Sequence, residues 1–190
     1  MNYEILVNKK SPLDENYIPN NLVNTNTRAK NRLAENSDVM IVDLVFDTFN
    51  EMRKEALKLG YDIDIDSGYR SYKYQGDVLK KFIEEVGEER AKMTVAEPGK
   101  SEHQTGLALD FCLFINGVYT DDITDEQEET EWIHKNCHRY GFILRYPKGK
   151  EDITGYNYEP WHLRYVGNKL AKEIYESGIT LEEYYKSKNV

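Results

Sequence analysis

The stretch Ser101-Glu102-His103-Gln104-Thr105-Gly106-Leu107-Ala108-Leu109-Asp110-Phe111-Cys112-Leu113-Phe114 decides how the rest of the chain is read. From Leu107 onward it is an apolar run broken once, by Asp110, and this predicts a strand. His103 stands just before the expected turn. A carboxylate between Leu109 and Phe111 is costly to bury unless it is paired or coordinates a metal. A salt bridge to an arginine or the capping of a loop is the alternative, and spacing alone leaves both readings open. Cys112 shares strand parity with Asp110, so it either faces the same side or fills space as a small buried hydrophobe.

Working outward, the strict alternation Asp62-Ile63-Asp64-Ile65-Asp66 predicts a half-buried strand that ends at Ser67-Gly68. Before it, Ser37 reads as the N-cap of a helix over 38–59. Ile41, Leu44, Val45, Phe49, Met52 and Ala56 recur there at helical spacing, and Gly60 is the stop. A second helix is expected over 72–86, with Val78, Leu79, Phe82, Ile83 and Val86 turned inward. Residues 91–105 read as a loop punctuated by Glu97-Pro98-Gly99. Downstream, 125–139 is acidic at its start and basic at its end, as a helix macrodipole favours, and Gly141 ends it. Short strands at 142–146 and 161–166 flank a loop at 147–159, and Thr180 with Glu183 forms a capping box for a last helix. Residues 8–37, rich in Asn, Thr, Lys and Pro, predict an irregular N-terminal arm with room for one short helix. Helices and antiparallel-looking strands mix without regular βαβ spacing and without an internal repeat, so the expected class is α+β, a single domain over residues 1–190.

At 190 residues folding should bury roughly 70% of the unfolded surface, so the core needs neither disulfides nor metal merely to exist. The 34 acidic and 25 basic side chains leave a formal net charge of −9, and no basic run is present. That long-range field has the wrong sign for nucleic acid or anionic lipid, which disfavours those partner classes, a local basic groove aside. The first twenty residues hold only the short apolar run Ile5-Leu6-Val7, where a secretory signal needs roughly 7–15 apolar residues. Val39 to Phe46 is broken by Asp43 and too short to span a bilayer. Cys112 and Cys137 are too few for a disulfide framework and too far apart for a Cys-x-x-Cys motif. A soluble cytoplasmic protein with no membrane partner is expected.

Three segments carry candidate chemistry: Ser67 to Ser71, Ser101 to Asp110, and Glu159-Pro160-Trp161-His162. His103 and Asp110 can converge near one strand, and His162 can join them from a neighbouring one. Two imidazoles and a carboxylate leave a fourth tetrahedral position open, the arrangement of a catalytic zinc. Glu159, three residues before His162, faces another side of an extended segment and so fits a ligand role poorly. The bend at Pro160 can place it beside such a metal for proton transfer, or it is simply a surface acid next to a proline turn. Arg70, at a strand end, can bind a substrate carboxylate or stabilise an oxyanion, or simply pair with an acid. His134 and His138 form a rival pair at helical i, i+4 spacing. Helical zinc hydrolases place a Glu directly after the first His, and here that residue is Lys135, so the pair is expected to be surface histidines.

At these segments the chain resembles the zinc-dependent D-alanyl-D-alanine carboxypeptidases of the VanY type. Ser-x-His-x-x-Gly-x-Ala-x-Asp is complete at Ser101, His103, Gly106, Ala108 and Asp110. Glu-x-Trp-His-x-Arg-Tyr-Val-Gly is complete from Glu159 to Gly167, and Ser-Gly-Tyr-Arg-Ser is intact at 67–71. The chain is similar still more closely to the VanXY D,D-dipeptidase/D,D-carboxypeptidases of vancomycin resistance, with which it shares Tyr-Gly-Phe-Ile-Leu-Arg-Tyr-Pro at 140–147. The resemblance implies a small central antiparallel sheet flanked by helices. It implies a zinc ion held by His103, Asp110 and His162, with Glu159 as catalytic base and Arg70 stabilising the tetrahedral intermediate. Gln75 and Ser101 would help hold the terminal D-Ala carboxylate, with Trp161 packed beside the site. The implied reaction is hydrolysis of D-Ala-D-Ala or of the terminal D-Ala of peptidoglycan precursors, which lowers the glycopeptide antibiotic target. An L,D-carboxypeptidase trimming tetrapeptide stems shares the zinc constellation, and a non-catalytic cell-wall binding module is a more distant alternative.

Overall fold

A computed structural model describes residues 3–30 and 38–188. In chain order its elements are β1 (Leu22–Asn24), β2 (Met40–Val42), α1 (Asp43–Lys58), β3 (Ile63–Ser67), α2 (Tyr72–Val86), α3 (Glu88–Thr94), β4 (Ala108–Ile115) and β5 (Val118–Thr120). They continue with α4 (Glu128–Asn136), β6 (Phe142–Leu144), α5 (Glu151–Thr154), β7 (His162–Tyr165), α6 (Asn168–Ser177) and α7 (Leu181–Lys188). A central antiparallel sheet runs in the order β3-β4-β7-β6, with β5 paired to the far end of β4, and β1 and β2 form a separate small ladder. The architecture is the expected α+β one.

The alternation of β4 gives the sheet two different faces. Leu109, Phe111 and Leu113 join Ile63 and Ile65 of β3, Leu163 of β7 and Phe142 of β6 on one side. They pack on Val45, Phe49, Met52 and Ala56 of α1 and on Ile133 of α4. Each such fully buried aliphatic or aromatic side chain contributes about 1.5–3 kcal/mol, so this layer is the main source of stability. The other face carries Ala108, Asp110, His162 and Arg164, which stand opposite one another across β4 and β7. A smaller cluster of Ile143, Val166, Leu170, Ala171, Ile174 and Leu181 closes the end of the molecule formed by α6 and α7.

Several local expectations change. Residues 40–42 do not start the first helix; they pair with 22–24, and α1 begins at Asp43. The expected cap Ser37 lies outside the described residues. The helical face itself holds, with Val45, Phe49, Met52 and Ala56 buried, whereas Leu44 is 37% exposed. α2 follows the expected bounds, capped by the Ser71 side chain accepting the Tyr74 N–H, but Phe82, Ile83 and Val86 are only half-buried. The expected loop 91–105 contains the end of α3 and a 3-10 turn at Glu102–Thr105. Residues 151–154 add one turn of helix, and α6 has no counterpart among the expected elements. The capping box is present: Glu183 Oε2 accepts the Thr180 N–H at 2.7 Å, and Thr180 Oγ1 accepts the Glu183 N–H at 3.2 Å.

β3 is buried along its whole length rather than on one face. Arg28, from the N-terminal arm, pairs with Asp62 at 2.6 Å and Asp64 at 3.1 Å, and Arg53 reaches Asp64 at 3.3 Å. Of the acids that looked like a solvent face, Asp62 and Asp64 are paired with guanidinium groups, and Asp66 accepts the Tyr119 O–H at 2.5 Å. The described part of the arm holds no helix; β1 is its regular element. Among the described residues no helix is long and apolar enough to cross a membrane.

Candidate active site

Strand register builds the site. Asp110 stands opposite His162 on one side and Ser67 on the other, so residues far apart in sequence meet at one level of the sheet. A bulge between Ile65 and Ser67 ends β3 there and turns the chain toward Arg70. His103 comes from the 3-10 turn, which closes at Gly106 with φ +66°. A Cβ at Gly106 would meet Val42, Pro19 and Leu22 at 3.0–3.2 Å, so both the backbone angle and the close approach call for glycine.

His103, Asp110 and His162 bring one ligand atom each within 4.8 Å of one another. His103 Nε2 lies 3.3 Å from Asp110 Oδ2, and His162 Nδ1 lies 2.9 Å from Asp110 Oδ1. His103 Nδ1 contacts the Gly68 carbonyl oxygen at 2.6 Å. A carbonyl only accepts, so Nδ1 bears the proton and the Nε2 lone pair faces the cluster. That Nε2 is buried and has no hydrogen-bond partner. An orphaned imidazole lone pair, a buried carboxylate and a second imidazole are the donor set of a divalent-cation site with an open position. Burial, with Arg70 nearby, lowers His103 to about 4 and so keeps it neutral. Asp110 is held well below the usual carboxylate range: burial opposes ionisation, but the two histidines outweigh it.

Arg70 and Glu159 flank this cluster. Arg70 is 8% exposed, and its Nη2 lies 3.8 Å from Asp110 Oδ2. Glu159 Oε2 lies 3.9 Å from His162 Nδ1, and burial raises its carboxyl to about 8. The turn that places it is held by the Glu159 N–H on Tyr146 O and the His162 N–H on Glu159 O. Ser101, Gln75 and Trp161 line the same cavity of about 650 Å³, together with Tyr74, Phe82 and Tyr156. Gln75 donates one Nε2–H to Ala96 O at 2.8 Å.

The rival histidines stay away from the cluster. His134 Nε2 meets the Pro160 carbonyl at 2.8 Å and so supports the Glu159 turn, while His138 stacks on Tyr175 with centroids 3.8 Å apart. His134 is therefore not the surface histidine expected of it. Cys112 is fully buried, does not line the cavity, and burial raises its thiol. Sequence reasoning missed Glu102, whose side chain is fully buried against Arg145 at 2.8 Å and Arg164 at 2.6 Å. The available signal was Arg164 inside β7 and Arg145 directly after the apolar β6, since buried guanidinium groups demand a carboxylate.

The VanY family model, described as D-alanyl-D-alanine carboxypeptidase, matches residues 40–168. YodJ of Bacillus subtilis (strain 168) is 42% identical over 186 residues, covering 95% of this chain and 66% of the relative. Two enterococcal D-alanyl-D-alanine carboxypeptidases are spanned over only 64% and 56% of their length. The bifunctional D-Ala-D-Ala dipeptidase and carboxypeptidase VanXYC of Enterococcus gallinarum is 37% identical, covering 97% of this chain and 94% of the relative. Among solved structures, the LdcB LD-carboxypeptidase superposes with a TM-score of 0.83 at 43% identity, over 95% of this chain and 84% of that one. The D,D-pentapeptidase VanY, solved in complex with Zn(II), has a TM-score of 0.81 at 31% identity, over 97% and 99%. With the family model covering the strands and turns that assemble the cluster, the chain belongs to the VanY family of D-alanyl-D-alanine carboxypeptidases.

Proposed function

We propose that the protein is a zinc-dependent D,D-peptidase that releases D-Ala from D-Ala-D-Ala or from peptidoglycan precursors ending in it. The observation that carries this reading is the buried His103, Asp110 and His162 cluster in one cavity with Glu159 and Arg70. The Zn(II) complex of the VanY relative supports the choice of metal. Zinc held by His103, Asp110 and His162 would polarise the scissile carbonyl and acidify a water.

The remaining work falls to the chain's own groups. Glu159 takes a proton from the attacking water and returns it to the leaving amine. The Arg70 guanidinium stabilises negative charge that develops on the carbonyl oxygen. The Ser101 hydroxyl and the second Nε2–H of Gln75 hold the terminal carboxylate, and Trp161 walls the pocket. Removal of terminal D-Ala would lower the target of glycopeptide antibiotics.

A second reading, L,D-carboxypeptidase action on tetrapeptide stems, is favoured by the 43% identity to LdcB. Release of D-Ala from the D,D-dipeptide, a pentapeptide stem and a tetrapeptide stem, with and without a chelator, separates the two. Chelator-sensitive release from the dipeptide or pentapeptide is expected, and release from the tetrapeptide alone would transfer the assignment to the L,D class. Glu159→Ala should stay folded and retain zinc while losing about 10²–10⁴-fold in turnover. Unchanged release by that variant would sink the assignment of Glu159.

A further inference from the structure

Glu102 has no task in the chemistry above, yet its surroundings are tightly specified. Its Oε1 accepts from both Arg145 Nε at 2.8 Å and Arg164 Nη1 at 2.6 Å. Its Oε2 is buried, has no hydrogen-bond partner, and lies 3.7 Å from His162 Nε2, which is equally unpartnered. The other nitrogens of the arginines are engaged elsewhere: those of Arg145 on Glu182, and those of Arg164 on the carbonyls of Tyr3, Ile5 and Tyr165. Were Glu102 only a counter-ion for the arginines, nothing would require both of them to share one oxygen and leave the other aimed at an imidazole. Glu102 and Glu182 with Arg145 and Arg164 also form a set of zero net charge, so the unit can stay ionised without water.

His162 presents its other nitrogen, Nδ1, to Asp110 and Glu159, on the side of the ligand cluster. An imidazole that lends its Nδ1 lone pair to a cation carries its proton on Nε2. We propose that Glu102 is the positioning residue of His162: its free Oε2 takes the Nε2–H and thereby fixes the tautomer and ring plane that turn Nδ1 toward the metal. The pairing matches the carboxylate–histidine–metal arrangement in which an outer carboxylate raises ligand basicity. The proposal rests on the reading of the cluster as a zinc site.

The test measures zinc binding itself. Metal-free wild type, Glu102→Gln and Glu182→Gln are titrated with zinc against a chromophoric chelator, and their folding is followed by thermal denaturation. Glu102→Gln should weaken zinc binding about tenfold or more. Glu182→Gln removes another partner of Arg145 but leaves Glu102 facing His162; its affinity should stay within about twofold while its Tm falls, since an outer carboxylate acts through the histidine it touches. Equal weakening in both variants, or wild-type affinity in Glu102→Gln, overturns the proposal. Wild type that takes up no zinc overturns the zinc reading instead. Should Glu102→Gln fail to fold, ring-nitrogen NMR of isotope-labelled, zinc-loaded wild type decides alone: a His162 with Nδ1 ligated and Nε2 protonated supports the proposal, and ligation through Nε2 overturns it.

Discussion

A Cβ added at Gly68 would sit 2.3 Å from the Met40 carbonyl oxygen, closer than any real contact allows. That glycine also offers the carbonyl that orients His103, so a small backbone shift there reaches the ligand cluster directly. Gly68→Ala is expected to cost about 1–3 kcal/mol of stability as an overpacking change. It should also weaken zinc binding, checked by denaturant unfolding and a chelator titration on one preparation. Loss of stability with unchanged zinc affinity would show that His103 does not depend on this contact. At this scale the sequence was most legible: His103, Asp110, His162, Glu159 and Arg70 lie in dense motifs, and the fold brings all five to one cavity. Glu102 was harder to read, because one acid among 34 carries no mark of its own, and the apolar surroundings of Arg145 and Arg164 demand a carboxylate without saying which acid strand register sets beside them.

Elements with strong internal patterns were read correctly, and those that depend on a distant partner were not. α2 and β4 have their own periodicity and stops. β2 was absorbed into the helix that follows it, because Ile41 fits the helical spacing as well as it fits a ladder; only pairing with β1 decides. α7 is the instructive success. Its capping box places Leu181 in the second core cluster and Glu182 on Arg145. Thr180→Ala should cost about 1 kcal/mol, read as a shift in the unfolding midpoint. The Thr180 N–H, and secondarily Lys150, hold the Glu183 carboxyl below its ordinary value. Its contribution is therefore present above the ordinary glutamic acid range, about 4.3, and is lost as pH falls through the depressed value. A Thr180→Ala midpoint indistinguishable from wild type at neutral pH would show that packing of Leu181 alone holds the helix.

For the molecule as a whole, residues 3–7 and α7 converge on the two buried arginines that hold Glu102. Tyr3 and Ile5 offer carbonyls to Arg164, Tyr3 packs edge-on against Tyr165 at 5.4 Å, and Val7 is fully buried. From the other end, Glu182 holds Arg145. Removal of residues 1–7 should therefore cost about 3 kcal/mol or more, given two hydrogen bonds to a buried charged group. The check is the urea midpoint, and an unchanged midpoint would mean that water replaces the lost carbonyls. The arm read as irregular is in this sense part of the structure: Arg28 pairs with Asp62 and with Asp64 of β3, and Gln104 donates to the carbonyls of Asp14 and Tyr17.

Short-range periodicity was enough to indicate the α+β class, and dense motifs marked His103, Asp110 and His162 as candidates, because both are written locally along the chain; that these three side chains meet is a finding of the fold. Glu159 and Arg70 were candidates of the same kind, and the fold places both in the cavity beside the three. The buried charge unit around Glu102, the true start of α1 and the covering of β3 came only from the folded molecule. Each depends on pairing between segments tens of residues apart, and whether an acid there is solvated or desolvated is decided by what tertiary packing lays over it.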